Sequence, residues 1–275
     1  MYFPQVLRPR PILFDLGDTL LNHITTNPLP YLKEGIRLAY DFISEQSHAL
    51  PPYKKFHAVV LRSYVWAFLT AKLRRRELDL HTSLVRISES LSLPSDDDFV
   101  MALGERLYRP MKRLGAIEEG VHAVLDRLVA QGHPLGIVSN TNVPAPMLDQ
   151  HLEEVDLLKY FPVRVYSCDV GVRKPRPAMF LPALRALNCK PQHTLFVGDK
   201  PSLDIRGAGR LGMITVLKVR VGKSPRSRYR PDHVIKHLTE LPGLLDKISW
   251  QCPETPPLLP QSEFPARRFL PRRSI

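Results

Sequence analysis

The sequence predicts an α/β fold, namely a doubly wound, mostly parallel and Rossmann-like sheet with an inserted helical bundle. Two observations in the 275 residues predict it. From about residue 115 onward, short apolar segments alternate with amphipathic segments, as in strand–helix–strand units joined by right-handed crossovers. Before that, roughly ninety residues of helical periodicity follow the first apolar segment, and four packed antiparallel helices fit that length.

The elements are predicted in chain order. The first strand covers 11–15. Four helices follow, whose apolar residues recur at helical spacing; the fourth contains Phe99 and should end before Pro110, because proline interrupts a helix. The later helices are predicted at 119–131, 146–158, 177–187 and 203–211, and the later strands at 135–139, 163–167, 194–198 and 213–217.

The alternation also predicts how the chain is divided. A core α/β domain should comprise 1–22 and 114–249, because its strands belong to one sheet. The helical bundle at 23–113 is then an insertion after the first strand. The last segment, 250–275, is rich in proline and contains two Arg-Arg pairs. We expect this tail to be disordered.

Composition limits the class of protein. Hydrophobic residues make up 44% of the chain, which suffices for a packed core and excludes a disordered chain. The three cysteines form no close pair, so we expect a reduced, cytoplasmic protein rather than a disulfide scaffold. The most apolar stretch, 58–73, is interrupted by two basic residues, so it predicts no membrane span and no membrane partner.

Basic residues are concentrated toward the C-terminus. The formal net charge is +12, and from Lys218 onward twelve Lys and Arg residues face five acidic residues. Such a region attracts nucleic acid, acidic membrane surfaces or anionic metabolites. We favour the simpler interpretation of a solvated terminus without a specific partner, and we keep nucleic-acid binding as an alternative.

Polar side chains follow several predicted strands where an open α/β sheet binds its ligands. They are Asp15, Ser139, Asn140, Lys174, Asp199 and Asp204. Taken singly, each is more often a turn, cap or solvated residue. Asp15 can be a structural cap, a metal ligand or a covalent nucleophile. Together with Asp199 and Asp204 it offers the oxygen ligands that Mg²⁺ prefers, so we expect these three carboxylates to converge.

Four segments, in order and at fitting intervals, resemble the motifs of the haloacid dehalogenase (HAD) superfamily: they are Ile12–Leu20, Leu135–Thr141, Gly171–Pro175 and Leu195–Ala208. The run Gly-Asp-x4-Asp-Ile-x-Gly-Ala in the last segment is the most specific match. The resemblance covers roughly 11–245. It implies a hydrolase fold in which the inserted helices form a C1-type cap domain that selects the substrate.

The resemblance implies a role for each candidate residue. Asp15 would attack phosphorus and form an aspartyl-phosphate. Ser139, the backbone around Asn140, and Lys174 would bind the phosphoryl oxygens, and Lys174 would also neutralise charge on the nucleophile. The Mg²⁺ cofactor would be held by Asp15, the backbone carbonyl of Gly17, Asp199 and Asp204.

The sequence departs from the family pattern at two positions. Gly17 stands where phosphatases of the family usually carry a second aspartate, which protonates the leaving group. Such general acid–base help is worth about 10²–10⁴ in rate. Asp18 follows one place later and either takes this role or stabilises the loop. If no residue protonates the leaving group, the enzyme would be slow or restricted to good leaving groups. Lys200 stands where a small hydroxyl residue is common and adds positive charge.

The expected function is that of a Mg²⁺-dependent phosphatase of a small phosphorylated metabolite. Another HAD-type reaction is one alternative. Phosphonate cleavage would need a lysine in the cap, and C–halogen cleavage does not need the retained metal site. The other alternative is a catalytically weak scaffold whose basic tail binds nucleic acid or a protein. The oligomeric state is not predicted.

Basic side chains in the inserted helices are the candidates for substrate selection. Arginines could bind a second phosphate or carboxylate, although solvated charges on a helix face are more common. A lysine could serve Schiff-base chemistry. The arginines are Arg62, Arg74, Arg75 and Arg76, and the lysines are Lys33, Lys54, Lys55 and Lys72.

Overall fold

A computed structural model describes residues 9–23, 27–46, 50–74, 80–220 and 227–248. Its strands are short and mostly apolar. In chain order they are β1 (Ile12–Phe14), β2 (Leu21–His23), β3 (Gly115–Ile117), β4 (Leu135–Ser139), β5 (Val163–Tyr166), β6 (Leu195–Gly198), β7 (Ile214–Lys218) and β8 (His233–Ile235). Six of them form one sheet in the order β5–β4–β1–β6–β7–β8. All neighbours in this sheet are parallel.

Helices occupy the connections between these strands. They are α1 (Leu29–Glu45), α2 (Tyr53–Arg74), α3 (Leu80–Ser90), α4 (Asp97–Lys112), α5 (Val121–Ala130), α6 (Ala145–Glu154), α7 (Ser167–Val170), α8 (Leu181–Ala186), α9 (Arg206–Arg210) and α10 (Leu241–Leu245). Strands and helices alternate from β4 to β7, which confirms the predicted fold class. Helices α1 to α4 lie between β2 and β3 in the chain, and we refer to them as the helical insertion.

The sheet is apolar on both faces, as expected where helices cover a parallel sheet. Successive side chains of β1 point to opposite faces. Ile12 and Phe14 join one hydrophobic cluster, whereas Leu13 joins the other. All three are completely buried. This double burial explains why the strands appear in the sequence as continuous apolar runs rather than as alternating patterns.

The five predicted strands match the structure to within one residue at each end, but all four later helices are shorter or divided. Helix 119–131 is shortened only slightly, to Val121–Ala130. Helix 146–158 ends at Glu154, because Asp156 adopts a left-handed φ of 57°. Prolines divide 177–187 into a 3₁₀ turn at Pro177–Met179 and helix α8. The prediction at 203–211 becomes a π-helical turn, Pro201–Ile205, followed by α9.

The fourth predicted helix was expected to end before Pro110, and this was wrong. Helix α4 continues to Lys112 with Pro110 buried inside it. Proline has no backbone N–H, so Pro110 removes one hydrogen bond of the helix. This loss falls in the last turn, close to the end of the helix, where few further backbone hydrogen bonds depend on it. Tertiary packing of the buried ring outweighs that loss, because local propensity is a weak prior.

Strands β2, β3 and β8 were not predicted, because three-residue strands carry almost no periodicity. β2 pairs with β3 in antiparallel register, with Leu21 opposite Ile117. This two-stranded ribbon brings together the two ends of the helical insertion. The division of the chain into a core domain and a cap domain stays a prediction, and the predicted tail, 250–275, lies outside the described residues.

The helical insertion has a hydrophobic core of its own. Ile36 and Ile43 of α1, Phe56 of α2, Leu84 of α3 and Val100 of α4 belong to one buried cluster. A Cβ atom on Gly35 would collide with the Leu107 carbonyl oxygen, so glycine permits the close packing of α1 against α4. Among the described residues, no helix has the length and apolar character needed to cross a membrane.

Candidate active site

Asp15 lies at the carboxyl end of the central strand. Its backbone N–H donates to the Val197 carbonyl of β6 at 2.8 Å, and its side chain is only 8% exposed. Because β1 runs between β4 and β6, Ser139 at the end of β4 and Asp199 just after β6 lie on either side of Asp15. The strand order therefore gathers residues that are distant in sequence at one edge of the sheet, which we call the catalytic edge.

Three carboxylates converge at the catalytic edge, as expected from the sequence. One oxygen from each of Asp15, Asp199 and Asp204 lies within 4.8 Å of the others. The turn Pro201–Ile205 brings Asp204 so close to Gly198 that a Cβ there would lie 2.5 Å from the Cβ of Asp204. Three oxygen donors at this spacing suit a hard divalent cation such as Mg²⁺. Their role as metal ligands stays a prediction.

Lys174 is buried against two of these carboxylates. Its Nζ donates to Asp15 Oδ1 at 2.6 Å and to the Val138 carbonyl at 2.9 Å. The same ammonium lies 2.7 Å from Asp204 Oδ1, and the lysine side chain is only 2% exposed. Such a buried, charge-assisted contact leaves the ammonium little freedom. The lysine is therefore held beside Asp15 before any ligand arrives.

Asn140 positions the loop that carries Lys174. Its Oδ1 accepts a hydrogen bond from the Lys174 backbone N–H at 2.8 Å, and its amide donates to the Lys174 carbonyl at 3.5 Å. The backbone around Asn140 is left for the phosphate contact that the resemblance implies. Ser139 is 4% exposed, and its hydroxyl has no hydrogen-bond partner among the described residues. This hydroxyl is available to a ligand at the catalytic edge.

The crowding of charges shifts several pKa values. Burial, together with repulsion from Asp15 and Asp204, raises the pKa of Asp199 to about 7, although the Lys200 ammonium opposes the shift. Burial also raises the pKa of Asp204 despite the nearby Lys174. For Lys174, burial lowers the pKa, but the two carboxylates outweigh it and the net shift is upward. Three carboxylates face two ammonium groups, so the ionised cluster attracts a cation.

The loop after Asp15 turns sharply at Gly17 and Asp18. Asp18 has a left-handed φ of 60°, and its backbone N–H donates to the Leu21 carbonyl at 2.7 Å. Its carboxylate forms an ion pair with Arg220, just beyond β7. These contacts support a structural role for Asp18. Its role as general acid–base stays a prediction, since it would have to act from within this ion pair.

Two basic residues were assigned to the solvated C-terminal region, and the structure corrects this. Lys218 is 5% exposed, donates to the Thr19 carbonyl at 3.0 Å and pairs with Glu118 at 2.6 Å. Arg220 pairs with Asp18. Both belong to the catalytic edge because β7 extends to Lys218. The sequence contained a signal for this position, because the apolar residues of β7 lead directly into Lys218 and Arg220.

The lysine that replaces the usual hydroxyl residue also lies at this edge. Lys200 Nζ is 3.2 Å from Asp199 Oδ2, and its side chain is 51% exposed. Its backbone N–H donates to Asp204 Oδ2 at 2.8 Å. Lys200 therefore contacts two of the three convergent carboxylates, one through its side chain and one through its backbone.

The basic residues of the helical insertion that were candidates for substrate selection are either exposed or outside the described part of the chain. Arg62 on α2 is exposed, as are Lys33, Lys54 and Lys55. Schiff-base lysines are typically desolvated, so exposure disfavours that role for the three lysines. The remaining candidates carry side chains outside the described part of the chain; they are Arg74, Arg75, Arg76 and Lys72.

The fold and the catalytic edge together define a class of parallel α/β protein with a buried aspartate, a fixed lysine and three convergent carboxylates at adjacent strand ends. The family model for haloacid dehalogenase-like hydrolases matches residues 10–212. The chain belongs to this family, which confirms the resemblance found in the sequence.

Curated relatives with sequence similarity carry phosphatase names. The chain is 37% identical over 133 residues to the glyceraldehyde 3-phosphate phosphatase of Pyrococcus furiosus, covering 47% of the chain and 53% of the relative. It is 36% identical over 132 residues to the phosphoglycolate phosphatase of Escherichia coli K12, covering 45% of the chain and 51% of the relative. The chain thus spans about half the length of these curated relatives.

Solved structures share the fold over most of the chain. A 2-haloacid dehalogenase from Pseudomonas syringae pv. Tomato DC3000 superimposes with a TM-score of 0.62 at 23% identity, covering 87% of this chain and 99% of that one. A HAD phosphatase from Thermococcus onnurineus gives a TM-score of 0.56 at 25% identity, covering 86% and 97%. Since both a dehalogenase and a phosphatase match, the fold alone does not choose the reaction.

Proposed function

We propose that the protein is a Mg²⁺-dependent phosphatase that hydrolyses a small phosphorylated metabolite through an aspartyl-phosphate on Asp15. The observation that carries this proposal is the convergence of Asp15, Asp199 and Asp204 around a buried Lys174. The phosphatase names of the partial relatives also support it. C–halogen displacement would not need a metal site, so the three carboxylates favour phosphoryl transfer.

The chain's own residues account for the covalent step. The Asp15 carboxylate attacks phosphorus, the bond from phosphorus to the leaving oxygen breaks, and that oxygen takes the electron pair and then a proton. Water next attacks the phosphorus of the aspartyl-phosphate, and the bond from phosphorus to the Asp15 oxygen breaks, which releases phosphate and restores the Asp15 carboxylate. The proton lost by this water balances the proton taken up by the leaving oxygen. Lys174, held 2.6 Å from Asp15 Oδ1, orients the nucleophile and stabilises negative charge that develops beside it.

Asp15, Asp199, Asp204 and the Gly17 carbonyl would hold Mg²⁺. When bound, Mg²⁺ would reduce the repulsion between an anionic nucleophile and an anionic substrate. With all three carboxylates ionised and no cation bound, the cluster would repel a phosphate group. The Ser139 hydroxyl would donate a hydrogen bond to a phosphoryl oxygen, since it is buried and lacks another partner within the described ranges.

Protonation of the leaving group is the weakest part of this machinery. Gly17 supplies no side chain, and the Asp18 carboxylate is paired with Arg220. The proposal therefore includes a preference for leaving groups that need little protonation. A catalytically weak scaffold remains the second candidate, favoured by this same arrangement.

The substitution Asp15→Asn tests the proposal. The amide is nearly isosteric but not nucleophilic, so phosphate release in the presence of Mg²⁺ should fall to background while the fold persists. Asp156→Asn is a matched control, because Asp156 forms an exposed ion pair with Lys159. Turnover by Asp15→Asn close to that of the unmodified protein would rule out the covalent route. Absence of turnover in the unmodified protein would favour the scaffold.

A further inference from the structure

The helical insertion and the loop after β4 line an apolar cavity of about 160 Å³. All four helices of the insertion contribute side chains, among them Leu32, Tyr64, Leu84, Leu107 and Met111. None of the side chains that line the cavity, as far as the chain is described, carries a charge. A cavity of about 150 Å³ lined by aliphatic and aromatic side chains is large enough for benzene. The volume therefore suits a ring or chain of about six carbon atoms.

The cavity adjoins the catalytic edge. Asn142 and Val143 line it on the side of the sheet, and they follow Ser139 and Asn140 in the same loop. Consecutive Cα atoms are about 3.8 Å apart, so the Cα atoms of Asn140 and Asn142 lie within about 7.6 Å of each other. The loop that leaves the catalytic edge therefore reaches the cavity within two residues.

Hydrogen bonds fix the loop that joins the two sites. The Thr141 backbone N–H donates to Ser167 Oγ at 2.9 Å, and the Val143 backbone N–H donates to Thr141 Oγ1 at 3.0 Å. The distance between the cavity and the catalytic edge is therefore set before a ligand binds. Binding to such a preorganised site costs less ordering entropy than binding to a mobile one.

Polar contacts hold the helical insertion against the sheet domain at the same place. The Tyr108 hydroxyl lies 2.9 Å from His151 Nδ1 on α6, and Lys112 Nζ donates to Glu154 at 2.8 Å. The cavity is not sealed, because Leu29 on its lining is 53% exposed. An unfilled apolar cavity lowers stability in proportion to its volume, and an accessible one can recover that stability by binding an apolar group.

Resting on the proposed phosphatase activity, we infer that this cavity binds an uncharged, apolar leaving group of about six carbon atoms, either a ring or a short alkyl chain. Burial of apolar area supplies the affinity. A carboxylate or a second phosphate would lose its hydration there without gaining a partner. The inference therefore separates this protein from an enzyme that prefers phosphoglycolate.

A series of alkyl phosphates from methyl to hexyl tests the inference. With Mg²⁺ present, kcat/KM should rise by about threefold to fourfold per methylene group until the cavity is filled. Phosphoglycolate should be hydrolysed more slowly than hexyl phosphate. A flat series, or a preference for phosphoglycolate over hexyl phosphate, would overturn the inference while leaving the phosphatase proposal intact.

Two methionines of α4 provide a matched pair of variants. Both are half-buried, but Met111 lines the cavity and Met101 does not. Met111→Trp should fill part of the cavity and lower kcat/KM for hexyl phosphate by at least tenfold, with little change for methyl phosphate. Met101→Trp should leave the chain-length dependence unchanged. Equal effects of the two variants would contradict a role for the cavity.

The affinity for non-hydrolysable alkylphosphonates distinguishes failure of this inference from failure of the proposed function. Alkylphosphonates of increasing length, titrated calorimetrically into the unmodified protein with Mg²⁺, should bind more tightly with each added methylene. If no phosphate ester is hydrolysed but this trend persists, the cavity binds apolar ligands and the phosphatase proposal fails. If esters are hydrolysed and phosphonate affinity does not depend on length, the inference fails and the phosphatase proposal stands.

Discussion

The catalytic edge and the helical insertion differ in what holds their buried residues in place. At the catalytic edge, Asp15, Lys174 and Asp204 are nearly inaccessible charged groups, and each depends on particular partners. In the insertion, buried aliphatic and aromatic residues pack in one cluster. Apolar cores tolerate volume-conserving exchanges of side chains. Removing one partner of a buried ion pair instead destabilises the protein strongly, because the other charge is left unpaired. Single substitutions at the edge should therefore change chemistry, and those in the insertion should change stability or specificity.

Two buried lysines, one from each region, give the strongest test of this difference. Lys174→Met should reduce the proposed phosphatase activity by about 10²–10³, because the charge beside Asp15, the proposed nucleophile, is lost. It should also lower the free energy of unfolding by about 3–5 kcal/mol, since Asp15 and Asp204 lose their buried partner. Lys112, the last residue of α4 in the insertion, pairs with Glu105 and Glu154.

Lys112→Met is the matched control for this experiment. It should destabilise the protein in a comparable way but retain most of the activity per folded molecule on methyl phosphate. Chemical denaturation and initial rates on the same preparations measure both quantities. Equal losses of activity in the two variants would show that the edge and the insertion do not differ as described.

The next effect concerns Gly198. A Cβ at this position would lie 2.5 Å from the Cβ of Asp204, so Gly198→Ala should displace that carboxylate and weaken Mg²⁺ binding by about 10–100-fold. Gly209→Ala is the control, because its Cβ would find its nearest neighbour at 3.8 Å. Calorimetric titration with Mg²⁺ measures the difference. Unchanged affinity in Gly198→Ala would remove Asp204 from the proposed ligand set.

The sequence predicted the catalytic edge more completely than the helical insertion. Asp15, Asp199 and Asp204 were identified because strand ends of a parallel sheet meet at one edge, so their position in the sequence determines their position in space. The pairing of β2 with β3 was not predicted, since it joins three-residue strands separated by the whole insertion. The apolar cavity depends on the packing of four helices, and helical periodicity describes only the face that each helix buries.

A pH titration provides a smaller but direct test of the edge. Burial raises the pKa of Asp199 to about 7 from an ordinary value of 3.8, so the metal-free folded protein retains a proton that the unfolded chain has released. Its free energy of unfolding should therefore fall as the pH rises toward 7. Mg²⁺ must displace this proton, so its affinity should increase by up to about tenfold per pH unit below 7 and then level off.

Asp199→Asn is the control for this pH dependence. The amide does not titrate, so the variant should lose the increase in Mg²⁺ affinity together with part of the affinity itself. Titrations at pH 5, 6, 7 and 8 are sufficient. A pH-independent affinity in the unmodified protein would mean that Asp199 is already ionised at pH 5, against the effect of its burial.

The smallest effect is expected at Asp18, the catalytic-edge residue whose contacts most resemble a structural role. Its left-handed φ and its ion pair with Arg220 make it a stabiliser of the loop. Asp18→Asn should therefore change the rates for an alkyl phosphate and for p-nitrophenyl phosphate together, and by less than about threefold. A much larger loss with the alkyl phosphate, whose leaving group needs protonation, would identify Asp18 as the general acid.

The double substitution Gly17→Asp with Asp18→Gly sharpens this last prediction by restoring the order usual in the family. Asp18 has a φ of 60° whereas Gly17 is not among the residues of positive φ, so glycine suits position 18 and the backbone at position 17 does not require glycine. A carboxylate at position 17 would not be committed to Arg220. The rate for the alkyl phosphate should then rise relative to that for p-nitrophenyl phosphate, because only the former gains from a proton donor. No gain in a properly folded double variant would count against the phosphatase proposal and favour the catalytically weak scaffold.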